Sequence, residues 1–426
     1  MVAEKATHDI NLHDVNLFLR DEFHEAFRVL RREAPVHWNI GSARANGFWS
    51  VTKYEDILTV SRHPEIFISS KGIAGSGERE PDPTDVARAA GRPAGEGTSS
   101  IITMDPPRHV KMRRLVNKGF TPRAVAAMEP KIREMTRQIL DEVGDRKSGD
   151  FVLEVSSRLP LAVICGLMGL PRESWDLMFE LTNAALGAGD PEYQQAQTGQ
   201  AGHTNIAKET ARRGNMRMAE YFRDVMADRR EHPQEDLISL LLEAELDGDK
   251  LTEGEILAFC NLLVVAGNET TRNAISGGMV VLDEHPEERA KLQSDIPKYI
   301  DGAVEEMLRW TSPLHHMTRE ATEDFDIRGQ HISPGEKVIM WYPSANRDEE
   351  VFEDPYRFDI TRDPNDHLAF GIGEHFCLGA GFARAEVRVM FEELFDRFPN
   401  LKVTGEPDRL RSTFINGVKH LQVDYR

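Results

Sequence analysis

The chain has 426 residues, 40% of them hydrophobic and 29% charged, with a formal net charge of −19. Those proportions are ordinary for a globular protein with a large core. So acidic a balance argues against general nucleic-acid or anionic-membrane binding and leaves small apolar ligands open.

Helical spacing predominates along the chain. Phe23, Ala26, Phe27 and Leu30 mark an amphipathic helix over 21–32. Residues 35–38 and 47–51 read as two short strands forming a hairpin, and 54–61 as a further helix. From 71 to 100, glycine, proline, serine and charge replace large apolar residues, which predicts a long loop. Helices are predicted over 108–120, 125–143, 157–168 and 172–186. A second polar stretch, 187–204, precedes helices over 207–231 and 236–246. The longest candidate covers 255–282 and is apolar almost all round from Ile256 to Ala266, so it belongs in the core. Short extended segments at 325–327, 331–332, 338–340 and 421–423 complete a mainly α chain with a minor β region. Neither an internal repeat nor a linker divides it. A single domain over 1–426 is expected, with 71–100 and 187–204 as loop insertions. The apolar run at 159–170 falls short of the roughly 18 residues a membrane span needs, and the first residues lack the apolar run of a signal peptide. A cytoplasmic protein without a membrane span is the expectation.

Three segments carry chemistry. The centre of the longest helix reads Ala266-Gly267-Asn268-Glu269-Thr270-Thr271. A carboxylate in a buried helix is costly unless paired or functional. Glycine beside hydroxyl residues predicts a distorted turn with backbone groups free for water or ligand. An acid at the surface end of a partly buried helix is the competing reading. The second segment is Phe370-Gly371-Ile372-Gly373-Glu374-His375-Phe376-Cys377-Leu378-Gly379, a loop opening into a helix over 380–395. Free N–H groups and the helix dipole at that point stabilise a thiolate, and the glycines let the backbone pass close to a large flat object. A dinucleotide fingerprint fails here, because Phe376 and Arg384 stand where its third glycine would be. No further ligand spacing supports zinc, and a structural buried cysteine stays open. The other cysteines, Cys165 and Cys260, lie in apolar runs and read as core. In the third segment, Glu306-Met307-Leu308-Arg309, acid and base share one helix face.

Together these segments resemble the cytochrome P450 family. Phe370-x-x-Gly373-x-x-x-Cys377-x-Gly379 matches its haem-thiolate loop, Ala266-Gly267-x-Glu269-Thr270 its oxygen-activating helix, and Glu306-x-x-Arg309 its characteristic ion pair. The resemblance extends from about Ile256 to Gly417 and recurs at Asp105-Pro106-Pro107-Arg108-His109. It implies the family's fold, with haem b (iron protoporphyrin IX) buried between the long central helix and the helix after the cysteine. Cys377 is then the iron ligand. Ala266, Gly267, Phe370, Gly371 and Gly379 line the haem, and His109, Arg113, Arg319 and His375 meet its propionates. Glu269 and Thr270 form the acid–alcohol pair that delivers protons. Leu262, Val265, Ala266, His315, Met317, Phe414 and Ile415 are the implied substrate contacts. The ion pair is expected to be completed by Arg357, with Arg362 as the second choice. The implied activity is insertion of one oxygen atom from O2 into an apolar substrate. Residues 344–362 are similar to soluble bacterial members that oxidise terpene alcohols and steroid or lipid side chains. Electrons are expected from a ferredoxin and its NAD(P)H-dependent reductase, docking near Arg108, Lys111, Arg114 and Lys118, and the protein is expected to be a monomer. A peroxide-driven or isomerase-type relative and a haem-binding sensor without turnover are the alternatives.

Overall fold

Thr252 starts the longest helix of the molecule. Its hydroxyl accepts the Glu255 N–H at 3.2 Å while the Glu255 carboxylate accepts the Thr252 N–H at 2.9 Å, a reciprocal cap. The helix then runs through the core as Glu253–Glu284. This is a computed structural model, and it describes residues 7–41, 47–74, 100–186, 190–193, 203–246 and 248–426. Most of the 71–100 loop and of the 187–204 stretch expected from composition lies outside the described residues.

Helices pack around that central rod on both sides. Arg158–Leu167 crosses it, Trp175–Leu186 and His203–Glu231 pack on each other and on it, and Ile296–Thr311 and Ala380–Arg397 lie on another side. Pro122–Val143 packs in turn on Ala380–Arg397. That helix begins three residues before the 125 read from its apolar spacing. Thr121 accepts the Ala124 N–H through its side chain and Pro122 occupies the first turn, a start signal that outranks hydrophobic period. The expected hairpin is present: Val36–Asn39 pairs antiparallel with Phe48–Val51, Trp38 opposite Trp49. It forms the edge of a five-stranded sheet that continues through Lys337–Trp341 and His316–Ala321 to Phe67–Ile68. Within the sheet Val338 is paired with Arg319. Among the described residues no helix is long and apolar enough to cross a membrane.

Two local expectations are corrected. No distorted turn interrupts the central helix at Gly267; it is helical throughout, and Thr270 Oγ1 donates to the Ala266 carbonyl at 2.8 Å. The ion pair is completed by Arg362, not Arg357. Glu306 and Arg309 are fully buried, and two N–H···O contacts of 2.7 and 2.8 Å make the pair bidentate. Arg362 Nε stands 3.4 Å from the Glu306 carboxylate. The Arg357 side chain is turned outward towards Asp359, and only its backbone carbonyl takes part, accepting from Arg309 and Arg362. The cause is local: residues 354–359 wrap the buried guanidinium with carbonyls, and a second side-chain cation there would face Arg309 without an anion of its own.

Removing one charge of a buried pair leaves the other stranded, at a cost of about 3–5 kcal/mol. Glu306→Ala is therefore expected to yield little folded holoprotein, whereas Arg357→Ala should stay within about 0.5 kcal/mol of wild type. Denaturant midpoints of the two variants check this. A second expectation concerns pH. Glu386 is buried with Oε2 lacking a hydrogen-bond partner, and burial pushes its carboxyl up to about 8. The unfolded chain releases that proton near pH 4.3 or so, about the ordinary glutamate value. Between the two values only the folded state holds it, so the contribution is complete at acid pH and is lost as pH rises towards 8. Glu386→Gln should flatten that decline in denaturation curves taken across the interval; an unchanged slope would show that Glu386 is already ionised.

Candidate active site

The cysteine loop is held by its own backbone. Cys377 N–H donates to the Phe370 carbonyl at 2.9 Å, Gly371 N–H to Leu368 and Phe376 N–H to Gly373. Gly371 and Gly373 have φ of +67° and +75°, the left-handed region that favours glycine, and a Cβ on Gly373 would stand 2.6 Å from the Ser61 carbonyl oxygen. The Phe370 ring is capped by the Arg384 guanidinium at 4.5 Å. This geometry turns Cys377 inward at the start of Ala380–Arg397. Protein surrounds the thiol closely, yet its residue retains accessible surface, so it opens onto interior space. Burial pushes the thiol up, and the Gly379 amide, Arg113, Arg384 and the Ala380 amide pull it down. The amide donors are those of Gly379 and Ala380, where the free N–H groups of the helix start were expected.

The predicted cationic groups converge beside the cysteine. The His109 and His375 rings lie 4.1 Å apart. Burial lowers the pKa of both, and the positive charges of Arg113 and Arg319 lower it further; His375 falls to about 2. His375 meets Ser69 Oγ at 3.2 Å. Arg319 is buried on the sheet; among the described residues its side chain bonds the Thr318 carbonyl alone and Arg113 forms no salt bridge. Arg113 and Arg319 are both desolvated, and although Asp105 acts on Arg319 and His109, further negative charge beside them is favourable. The two propionates of a haem supply that charge, and a thiolate on the same side supplies the iron ligand. The residues present therefore fit haem.

A strip on the central helix faces open space. Leu262, Val265 and Thr270 are half-buried and Ala266 is exposed, while Val264, Asn268, Glu269 and the run 271–276 are buried. An exposed alanine midway along a core helix marks a hollow above it. Leu262 and Val265 pack on the same apolar cluster as Leu378, the neighbour of the cysteine. Gly267 departs from expectation. A Cβ there would come 2.7 Å from Ile164 Cδ1, so its small size serves the crossing with Arg158–Leu167 and not the hollow. The remaining predicted contacts divide. Phe414 is half-buried, its carbonyl accepts the His315 N–H at 2.8 Å, and Ile415 bridges Leu314. Met317 is half-buried in the sheet. His315 lies elsewhere, buried against Phe18 and Phe23 with burial holding it neutral. Glu269 is buried and bound by Arg272 at 2.5 Å, and Arg272 in turn donates to Asn183 of Trp175–Leu186. Arg272 escaped the sequence reading, although its spacing from Glu269 is the same as that of Arg309 from Glu306.

A helix-rich fold built round a buried helix, with an inward cysteine and a cationic cradle beside it, defines a haem-thiolate protein. The family model for Cytochrome P450 matches residues 172–423. The methyl-branched lipid omega-hydroxylase of Mycobacterium tuberculosis is 40% identical over 416 residues, 94% of this chain and 90% of that protein. The steroid C26-monooxygenase of Mycolicibacterium smegmatis is 36% identical over 98% of this chain and 94% of its own length. Among solved structures, a Mycobacterium marinum cytochrome P450 in complex with pseudoionone superposes with a TM-score of 0.87 at 34% identity, covering 99% of this chain and 100% of that one. The chain belongs to the cytochrome P450 family. It is a haem-thiolate monooxygenase.

Cys377→Ser is expected to abolish the thiolate signature of the reduced carbon monoxide spectrum, and an unchanged spectrum would remove Cys377 from the site.

Proposed function

We propose that the protein binds haem b through Cys377 and inserts one oxygen atom from O2 into an unactivated C–H bond of a branched lipid, terpenoid or steroid side chain. The observation that carries this is the apolar strip Leu262, Val265 and Ala266 running to the Thr270 hydroxyl, accessible midway along a core helix while Val264, Asn268, Glu269 and 271–276 beside it are buried. The relatives named for methyl-branched lipids and steroids support the substrate class, and so does a Bacillus megaterium neighbour of 33% identity solved with testosterone.

Bound haem supplies the redox iron at which dioxygen is activated. The chain's residues do the rest. Cys377 holds the group from one side, its sulfur stabilised by the Gly379 and Ala380 amides. Arg113, Arg319, His109 and His375 anchor the propionates. Leu262, Val265, Ala266, Met317, Phe414 and Ile415 exclude water and present the substrate's apolar chain. Thr270 offers a hydroxyl that now bonds the Ala266 carbonyl and is free to turn to a proton acceptor in the hollow. Glu269 supplies protons to that hydroxyl. Phe370, Gly371 and Gly379 form the floor of the loop side. His315 and Gly267 act at one remove, by packing. We further assign the whole of 1–426 to one domain and place the monomeric enzyme in the cytoplasm. Electrons come from a ferredoxin and its NAD(P)H-dependent reductase, steered to the basic residues Arg108, Lys111, Arg114 and Lys118, of which Arg108 is paired with Glu255. The acid–alcohol pair favours this reading over a peroxide-driven enzyme or a sensor, neither of which requires proton delivery.

Binding of steroid, terpenoid and branched fatty-acid panels, read as a shift of the haem spectrum, tests the substrate class; a response confined to small aromatics would reject it. Thr270→Ala should keep haem and substrate binding while product per NADH drops several-fold and peroxide appears. Glu269→Gln should instead slow turnover. Full coupling in Thr270→Ala would remove its role.

A further inference from the structure

The central helix carries a buried charged pair beside the substrate strip, Glu269 standing four residues after Val265 and seven after Leu262 on the same side of the helix. The side chains of Glu269 and Arg272 are 2% and 1% exposed and meet at 2.5 Å. Arg272 Nη1 donates to Asn183 Oδ1 at 3.1 Å, and Asn268 Nδ2 donates to Thr182 Oγ1 at 3.0 Å. Both acceptors belong to Trp175–Leu186, the helix that leads into the 187–204 stretch. Among the described residues, one oxygen of the carboxylate, Oε1, and one nitrogen of the guanidinium, Nε, are buried without a hydrogen-bond partner. A pair of this kind is a poor device for stability alone. Desolvating two charges costs as much as their attraction returns, and a well-packed apolar pair serves the fold as well or better. With one oxygen held by Arg272, the second oxygen of Glu269 is the atom left available for chemistry.

We infer that Arg272 is a positioning residue for proton delivery: it holds Glu269 as a carboxylate by one oxygen, against the Trp175–Leu186 helix, and leaves Oε1 as the atom that takes and gives the proton. The inference rests on the reading of Glu269 as the proton-delivering acid. Burial is the larger influence and holds the Glu269 carboxyl above the usual glutamate value, while the charge and hydrogen bond of Arg272 pull it back down. Because a guanidinium does not give up its charge, the ionised pair is the state that leaves no single charge stranded. A proton arriving from a water-connected donor binds Oε1, leaves from Oε1 towards Thr270, and returns the group to a carboxylate. Nothing is consumed, so the cycle repeats. Without the guanidinium, burial alone acts on the acid; it stays protonated at neutral pH, ready to give one proton but slow to release it and be reset. The groups facing the pair are neutral Thr182 and Asn183 from the neighbouring helix, Asn268 from its own, and Tyr193 from 190–193, whose phenol senses both charges.

Infrared difference spectra of the holoprotein, taken against Glu269→Gln, read the protonation state directly. Wild type should show no carboxylic-acid carbonyl band from Glu269 at neutral pH. Arg272→Met should show one, and that band should vanish in the double variant with Glu269→Gln. Its kcat should fall about tenfold or more, the scale of a mispoised proton-transfer group, with KM little changed. Arg272→Lys keeps the charge but loses the planar fork. It should fall between the two and move the acid limb of the kcat profile to higher pH. Absence of the acid band in Arg272→Met, or an unchanged kcat, overturns the inference. If Arg272→Met does not fold, Arg272→Lys decides alone: an acid limb that stays in place overturns it, and a displaced one supports it. Normal turnover in Glu269→Gln would instead sink the parent reading of Glu269. Slow Glu269→Gln with indifferent Arg272 variants would sink only the role of Arg272.

Discussion

The fold of the haem side depends on one buried ion pair. Glu306 is saturated: besides Arg309 it accepts the Asp359 N–H at 2.9 Å, the Asn365 side-chain amide at 3.0 Å and Arg362 at 3.4 Å. Arg309 in turn donates to the Asn346 and Pro355 carbonyls. Two side chains thus fix about twenty residues of irregular backbone that have no sheet or helix of their own. Asn346 passes the constraint on, since its side-chain oxygen accepts the Leu368 N–H at 2.6 Å, two residues before Phe370. From there the loop's internal bonds set Cys377. A pair that contributes little net stability is retained because it specifies one path for the chain.

Electrostatics at the site run against those of the molecule. A protein of net charge −19 gathers two arginines and two histidines beside its reactive cysteine. Desolvation and their mutual repulsion keep the histidines neutral, so the arginines carry the charge. That division suits a ligand with two carboxylates. The arginines neutralise it and the imidazoles donate hydrogen bonds without adding charge that burial would penalise. Elsewhere the same rule is solved by pairing, as in the Glu305–Arg384 bridge, which holds the Glu305 carboxyl near 2 or so.

The central helix divides its labour by face. One strip, with Ala266 at its middle, stays open; another receives Ile164 against Gly267; a third holds Arg272 and Asn268 against Trp175–Leu186. Residues adjacent in sequence therefore belong to different environments, about 100° apart round the axis. Glu269, buried and paired with Arg272, and Thr270, half-buried and bonded to the Ala266 carbonyl, are neighbours in the chain with different surroundings.

How much of this was legible in the chain follows from the range of the forces involved. Helix positions, the hairpin at 36–51, the central rod and the cysteine loop were readable, because hydrophobic period, turn residues and the Phe370-to-Gly379 pattern act over a few residues. The resemblance to the family rested on that same short-range pattern, and so did the nomination of Cys377, His109, Arg113, Arg319 and His375. What depended on packing between distant segments was not readable. The chain pattern put Arg357 first and Arg362 second. Only tertiary packing reverses this: Arg309 takes the Asn346, Pro355 and Arg357 carbonyls, and Arg362, held by the Glu353 and Asp354 carbonyls, turns in to Glu306. Gly267 looked like a weak point in a helix, and the neighbour Ile164, a hundred residues away, makes it a packing notch. His315 looked like a substrate contact until Phe18 and Phe23 enclosed it. Sequence alone determined which residue types carry the chemistry, since their spacing is local. Tertiary structure decided which of them face the hollow and which face each other, since burial and charge pairing are settled only by what arrives from elsewhere in the chain.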